Sequence, residues 1–373
     1  MLIGIDGNEA NQKNRVGIGQ FAFNVISQLE KIDKKNDYLI YLKEKPKLDL
    51  PKERHGWKYL VFGPNKLWTQ IALPLKLFTQ KEKPNVFFSP SHYSPRFSPI
   101  PTVVSIMDLW HHWHPQQFDK KDLYQLINWE KYSVNRAKNI ITISEFSKKE
   151  ILDIYKLPEN KVTVAYPGFT KFKVQSSKFK VDAAKNKYGI NGDYFLYIGT
   201  LQPKKNIEGL IKAFSFLISN IQYPISNIQL VIAGKKGWHY EKIFALVKEL
   251  KLDDKVIFTG FIEEEEKPYL ISGAKAFVFP SFYEGFGIPV LEAMNLGVPV
   301  VTSSEGSLPE VGGEAAIYCD PYKIETIADG MEKILNLNKS DRDEIIALSK
   351  SQTEKFSWEK CAQTVLETLE SIK

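Results

Sequence analysis

PSFYEGFGIPVLEAMNLGVPVVTS, residues 280–303, sets two glutamates, Glu284 and Glu292, on either side of a Gly-Phe-Gly turn and a proline. The preceding run, AKAFVFP, reads as a strand. Glu284-Gly285-Phe286-Gly287 reads as a loop. Pro289 suits a first helical position, where no N–H is needed. Val290 to Leu296 reads as a helix ended by Gly297. The amides of Gly285, Phe286, Gly287 and Ile288 then stand at a helix start, where unpaired N–H groups and the helix dipole suit a phosphate or diphosphate. Carboxylates repel phosphate, so Glu284 and Glu292 belong with neutral neighbours. Sugar hydroxyls qualify, because an ionised carboxylate accepts strongly from them. A nucleoside diphosphate sugar satisfies the whole pattern, with one glutamate on the sugar and the other on the ribose. The plain alternative is that Glu284 caps the helix and Glu292 faces solvent.

Upstream, GTLQPKKN (199–206) also follows a strand and opens a helix. A lysine there can reach a diphosphate and offset leaving-group charge; the plain alternative for Lys204 and Lys205 is a solvated basic pair. Further out, strand-like runs alternate with helix-length amphipathic segments, the mark of α/β architecture with parallel sheets. The first half reads as strands near 2–6, 38–42, 58–62, 85–89, 102–106, 139–143 and 162–166, with helices over 17–31, 68–79, 122–137 and 145–155. The second half reads as strands near 194–198, 228–233, 255–259, 276–280 and 298–302, with helices over 206–219, 240–250, 265–273, 289–296 and 323–335. Residues 173–189, lysine-rich and poor in apolar side chains, read as a linker. The expected organisation is a domain over 1–172, a second over 190–355, and a terminal amphipathic helix at 356–373. Ligands of such sheets bind at the carboxyl ends of the strands, which makes the cleft between the domains the expected active site.

The chain has 373 residues, of which 43% are apolar and 25% charged, a composition for two globular domains. No apolar run reaches the roughly 18 residues a membrane span needs. The opening MLIGIDGNEA carries acids where a signal peptide is cationic, and two cysteines, Cys319 and Cys361, make no disulfide framework. These features point to a reduced, cytoplasmic protein. Residues 1–175 hold 27 Lys/Arg against 17 Asp/Glu, while 176–373 hold 23 against 27. The basic first half suits an anionic surface or substrate as well as it suits ordinary surface lysine. No aromatic-interleaved basic stripe argues for nucleic acid.

GTLQPKKN, FTGF (258–261), EGFGIPVLEAMNLGVPVV and SLPEVGG (307–313) together resemble the family 4 retaining glycosyltransferases. VGIGQFAFN (16–24) is similar to that family's glycine-rich first loop. The resemblance covers almost the whole chain. It implies the GT-B fold, two Rossmann-like domains with a cleft between them, the terminal helix packing back on the first. It implies transfer of a mannose, rhamnose or glucose type sugar from a nucleoside diphosphate donor to a glycan or lipid-linked acceptor in cell-surface polysaccharide synthesis, without a metal or other cofactor. Carried over by position, Lys205 is the diphosphate lysine, with Lys204 beside it. Thr200 stands where an arginine is common. Glu284 lies near the transferred sugar, residues 285–288 form the amide cradle, and Glu292 binds the ribose. Phe261 lies at the nucleobase wall. Gly17 and Gly19 let backbone approach the donor or acceptor phosphate. Glu284, Asp108 and Lys205 are the expected catalytic set.

The chief departure lies in VVSIMDLWHHWHP (103–115), where Met107-Asp108 replaces the His-Asp usual in relatives. Methionine offers the sugar no useful hydrogen bond. Asp108 remains a candidate for acceptor or sugar contact, or a helix cap. His92, in SPSHYSP, is an acceptor-side candidate or plain loop structure. His111, His112 and His114 do not share one helix face and have no evident carboxylate partner, so no metal is expected. Trp68, Ile71, Leu75 and Phe78 form an apolar stripe that reads as core packing, or as a helix touching the inner face of a membrane. Two other readings fit a chain of this kind, a GT-B sugar-nucleotide epimerase and a non-catalytic sugar-nucleotide binder.

Overall fold

The computed structural model describes residues 1–172, 178–220, 227–238 and 240–372. The chain divides into two compact units, Met1–Gly168 with Phe356–Lys373, and Phe169–Lys355.

The first unit holds seven strands: β1 (Leu2–Asp6), β2 (Asp37–Leu42), β3 (Trp57–Val61), β4 (Val86–Ser89), β5 (Thr102–Ser105), β6 (Asn139–Thr142) and β7 (Val162–Val164). They pair in parallel in the order β3-β2-β1-β4-β5-β6-β7. Side chains alternate between faces, as a period of two demands. Val103 and Ile141 join Ile3, Ile5 and Phe88 in one core, while Val104 and Ile140 join Val134 and Ile151 in another. The helix Trp358–Glu370, capped by the Ser357 side chain on the Lys360 amide, adds Cys361, Val365 and Leu369 to the core that holds Phe21, Val25 and Leu29 of helix Ile18–Ile32. The chain enters that helix so close to Gly168 that a Cβ there would sit 2.1 Å from the Trp358 nitrogen.

The second unit holds β8 (Asp193–Ile198), β9 (Ile228–Ala233), β10 (Val256–Gly260), β11 (Ala276–Phe279), β12 (Val300–Ser303) and β13 (Ala316–Cys319), again parallel, in the order β10-β9-β8-β11-β12-β13. In each sheet the order reverses once, between β1 and β4 and between β8 and β11. At such a switch point the loops leaving the two strands turn opposite ways and open a crevice at the strands' carboxyl ends.

Two expectations need correction. The segment 173–189 is not a plain linker. Residues 178–187 form a helix packed on helix Lys267–Ser272, through Lys180 Nζ to the Tyr269 hydroxyl at 3.1 Å. Residues 173–177 lie outside the described residues. Only Ala184 of that helix is buried, so its sequence carries no apolar stripe to announce it. Nor is the stripe at 68–78 core throughout. Trp68 is buried with Leu73 and Leu77 against Tyr41 and Phe87, but Leu67, Ile71, Leu75 and Phe78 are 48–58% exposed. A wide turn over Trp68–Ala72 leads into helix Leu73–Thr79 and rotates those four side chains outward. Helix Lys339–Thr353 and β13 are further elements that periodicity alone does not reveal.

Candidate functional site

In the second unit the residues of the two motifs meet at the switch point. After β8 the chain makes a tight turn over Pro203–Lys205. It then passes through Asn206 in the left-handed region, φ 54°, before helix Ile207–Asn220. The buried Asn206 amide donates to the carbonyls of Pro280 at 3.1 Å and Pro321 at 2.7 Å. The Phe282 amide donates to the Lys204 carbonyl at 2.9 Å. These bonds tie the loop after β8 to the loop after β11. Lys205 is thereby delivered to Glu284, its Nζ at 2.5 and 2.7 Å from the two carboxylate oxygens, with side chains 14% and 9% exposed.

The turn carrying Glu284 is held from behind. Ser307, fully buried, donates its hydroxyl to the carbonyls of Glu284 at 2.9 Å and Phe286 at 2.8 Å. Gly287, at φ 120°, then opens helix Ile288–Asn295, with Pro289 in its first turn. The amides of Gly285, Gly287 and Ile288 donate to no acceptor among the described residues. A Cβ at Gly234, just past β9, would lie 1.8 Å from the Gly199 carbonyl oxygen. Backbone thus touches backbone under Thr200.

Glu292 does not face solvent. It is buried, and Lys267 Nζ lies 2.6 Å from its carboxylate. Burial raises its pKa above the usual carboxylate range; Lys267 opposes that rise and Glu264 adds to it. Beside these residues, a cavity of about 230 Å³ at the ends of β9 and β10 is lined by Leu201, Ile232, Gly234, Lys236, Phe244, Phe258 and Gly260. Phe244 and Phe258 stack in it at 4.3 Å. Phe261 is not part of this lining. It stands 52% exposed with Lys235 Nζ over its ring at 4.5 Å. Asn206, Lys267 and Ser307 are contributions that sequence reasoning did not single out. The run EEEEK gives no sign that its lysine turns inward.

In the first unit, the loops after β1, β4 and β5 carry the remaining candidates. Gly17 has φ 47° and immediately precedes helix Ile18–Ile32, and Gly19 packs closely on the Glu9 carbonyl. Asp6 ends β1 buried; desolvation lifts its carboxyl to about 6 against the opposing bonds from Asn8. Met107 is 6% exposed and belongs to the core, so this position serves packing. Asp108 Oδ1 accepts the Trp110 amide at 3.2 Å, while the N-cap position of the short helix Trp110–Trp113 is Leu109, which makes no side-chain cap.

His92 meets a carboxylate that sequence reasoning missed. Its Nδ1 lies 2.6 Å from Oε2 of Glu130, which comes from helix Lys120–Arg136 and is fully buried. Tyr155 donates to Oε1 of Glu130 at 2.6 Å, and His111 and His112 Nε2 lie 3.5 and 3.7 Å from the same oxygen. His111, His112 and Glu130 therefore place possible ligand atoms within 4.8 Å of one another, contrary to the expectation that those histidines lack a carboxylate. The carboxylate already serves Tyr155 and His92, which makes the group a hydrogen-bonded charge cluster. His114 instead stacks on Trp110 at 3.7 Å. A cavity of about 450 Å³ in this unit, lined by Pro95, Pro101 and Arg136 among others, lies at the start of β5, the opposite end of that strand from Asp108.

Comparison with known proteins adds two family models. One described as glycosyl transferases group 1 matches residues 180–351, and one described as Glycosyltransferase Family 4 matches residues 17–170. Among curated relatives, O-antigen chain mannosyltransferase B of Escherichia coli is 36% identical over 237 residues, 62% of this chain and 61% of that protein. A serotype-specific mannosyltransferase WbdA of Escherichia coli is 32% identical over 267 residues, 66% of this chain and 32% of the relative. The match thus spans about three-fifths of one relative and a third of the other. Among solved structures, Anabaena Alr3699/HepE in complex with UDP and glucose superposes with a TM-score of 0.75 at 17% identity over 99% of both chains. WaaG, a glycosyltransferase involved in lipopolysaccharide biosynthesis, superposes with a TM-score of 0.71 at 15% identity over the whole of both. At these identities the likeness establishes the fold, GT-B.

Proposed function

This chain belongs to the family 4, group 1 glycosyltransferases, and from that premise we propose that it moves a hexosyl residue, mannosyl foremost, from a nucleoside diphosphate sugar to an acceptor hydroxyl with retention of configuration. The observation that carries the reading is Lys205 paired with Glu284 at the mouth of a turn where the amides of Gly285, Gly287 and Ile288 donate to no acceptor among the described residues. A diphosphate binding there takes Lys205 Nζ and the amides of residues 285–288, and leaves the Glu284 carboxylate to a sugar hydroxyl. In transfer, the bond from the anomeric carbon to the phosphate oxygen breaks and the bond to the acceptor oxygen forms on the same face. The acceptor's proton passes to the departing phosphate, so no dedicated protein base is needed. Lys205 and the fixed amide dipoles stabilise the growing phosphate charge, a term worth a factor of about 10²–10³ per donor group. This reading requires no metal. Glu292 suits the ribose, and the cavity walled by Phe244 and Phe258 suits the base.

We extend the proposal to the acceptor and its location. The relatives named as O-antigen mannosyltransferases favour a cell-surface glycan or lipid-linked acceptor, met at the cytoplasmic face of a membrane. No helix among the described residues is long and apolar enough to cross a membrane. The outward side chains of Leu67, Ile71, Leu75 and Phe78, with Lys66, Lys81 and Lys83 exposed around them, form an apolar face rimmed by positive charge. That combination suits an anionic lipid surface.

Thermal-shift measurements with UDP-, GDP-, dTDP- and ADP-linked sugars test the donor reading, since a true donor raises the melting temperature by mass action. The shift should disappear in Lys205→Ala, and transfer should be nearly abolished in both Lys205→Ala and Glu284→Ala. Wild-type rates in either folded variant refute the assignment.

A further inference from the structure

We propose that Glu130 is a positioning residue that fixes the His92 ring and its proton, so that His92 Nε2–H is presented at the end of β4 as a donor to a carbohydrate hydroxyl. The inference deepens the glycosyltransferase reading and rests on it for the identity of the ligand class.

The segment carrying His92 is laced to helix Lys120–Arg136 along its length. The Ser94 amide donates to Ser133 Oγ at 2.9 Å, the Phe97 amide to the Tyr132 hydroxyl at 2.7 Å, and the Tyr93 ring meets Trp129 edge-on at 5.7 Å. A loop bound at three points keeps its side chains in one orientation. Glu130 rises between those anchors, entirely buried, and holds His92 Nδ1 at 2.6 Å. With Nδ1 engaged, Nε2 is the ring nitrogen left for a ligand, and no described residue bonds it. The ring retains 11% exposure, whereas the carboxylate behind it has none. A carboxylate at Nδ1 holds a proton there and sets the direction of the ring; Nε2 carries a hydrogen of its own in the imidazolium, the form in which it donates.

The charged groups facing His92 come from three elements. Glu130 lies on helix Lys120–Arg136, Glu9 on the loop after β1 and Asp108 on the loop after β5. His111, His112 and Tyr155 act through the shared carboxylate. Burial alone would lower the His92 pKa. The Glu130 hydrogen bond and charge, with smaller help from Asp108 and Glu9, more than offset it and raise it. Three negative groups around one imidazolium leave little attraction for a phosphate. A hydroxyl, which accepts from the imidazolium and can donate to a neighbouring carboxylate, is the ligand such a mixture recognises.

The test labels the histidine rings and follows His92 by NMR in the wild type, Glu130→Gln, Tyr155→Phe and His92→Phe, the last assigning the resonance. Wild-type His92 should titrate above free histidine, Glu130→Gln should lower its midpoint, and Tyr155→Phe should change it far less. Methyl α-mannoside at high millimolar concentration should move the His92 signal in the wild type and not in Glu130→Gln above the lowered midpoint. In transfer assays the sign follows. A donor imidazolium is lost as pH rises through its pKa, so the alkaline limb of kcat/KM should move to lower pH in Glu130→Gln. The deficit should be full above the wild-type His92 midpoint and should vanish below the midpoint of the variant. An unchanged His92 titration in Glu130→Gln, or a His92 signal blind to the mannoside, overturns the proposal. Loss of all transfer in the wild type overturns the glycosyltransferase reading instead, and the NMR result stands apart from it.

Discussion

Replacing Lys267 with methionine tests how the second unit holds the buried carboxylate of Glu292. Glu292 is 4% exposed at its side chain and Lys267 13%, with 2.6 Å between the charges. Removing one partner of a buried pair costs about 3–5 kcal/mol, because the other charge stays behind uncompensated. Lys267 keeps some water, so about 3 kcal/mol is the appropriate figure. A domain of 150–250 residues loses about 2–4 °C per kcal/mol. The second unit should therefore melt about 6–12 °C lower in Lys267→Met at pH 8. The sign with pH follows from Glu292 itself. Its folded pKa is raised, by burial first and against Lys267, so the folded state holds that proton more tightly than the unfolded chain does. The contribution is most favourable below the unfolded value and is lost as pH rises through the folded one. Without Lys267 the folded value climbs further, so the deficit should be full near pH 8 and should shrink toward pH 5. Scanning calorimetry of the wild type, Lys267→Met and Lys267→Met/Glu292→Gln at both pH values measures this. The double variant should recover most of the loss at pH 8. An equal loss at both pH values, or no recovery in the double variant, refutes the reasoning.

Ser307→Ala removes a buried hydroxyl that bridges two carbonyls of the Glu284 turn, and should cost about 1–3 kcal/mol in chemical denaturation while weakening donor affinity in the thermal-shift assay. Gly234→Ala has no room, with its Cβ 1.8 Å from the Gly199 carbonyl oxygen at φ 153°, and should yield insoluble or donor-blind protein. Gly17→Ala meets nothing within 4 Å, but φ 47° with ψ −110° is a backbone that L side chains rarely adopt, so it should cost about 1–3 kcal/mol of strain, read from its melting temperature. Ile71→Asp with Phe78→Asp should abolish sedimentation with anionic vesicles and leave the donor thermal shift intact; retained sedimentation would remove the apolar face from the membrane reading.

The strands were legible because parallel strands are covered on both faces and so read as unbroken apolar runs; β4, VFFS, and β5, TVVS, are buried at every position. The turn at 284–288 was legible because glycine and proline mark it locally. Partnerships across the sheet were not. Lys205 and Glu284 are 79 positions apart, and only the strand order β8-β11 makes them neighbours. Lys267 ends a run of four glutamates whose first three are exposed, so the run reads as a solvated face although its last charge turns inward. Glu130 is one more charge in KKDLYQLINWEKYSVNR, and its burial is decided by helix packing that no spacing rule encodes. The stripe at 68–78 failed for a geometric reason: the wide turn at Trp68–Ala72 changes the angular step, so residues spaced for one face divide between core and water.

If the donor binds as proposed, the pair Lys205–Glu284 also constrains the order of recognition. A carboxylate held by two contacts from one ammonium is a satisfied acceptor, and a sugar hydroxyl arriving alone must displace a charge-assisted bond with a neutral one. A diphosphate changes that balance, because it offers Lys205 a stronger anion and finds the amides of Gly285, Gly287 and Ile288 already unpaired beside it. Drawing Nζ toward the phosphates releases Glu284 at the moment a sugar attached to those phosphates lies within reach. On the proposed donor reading, carbohydrate without its nucleotide would meet an occupied carboxylate, and selectivity for the activated donor would rest on an ion pair that the donor itself opens.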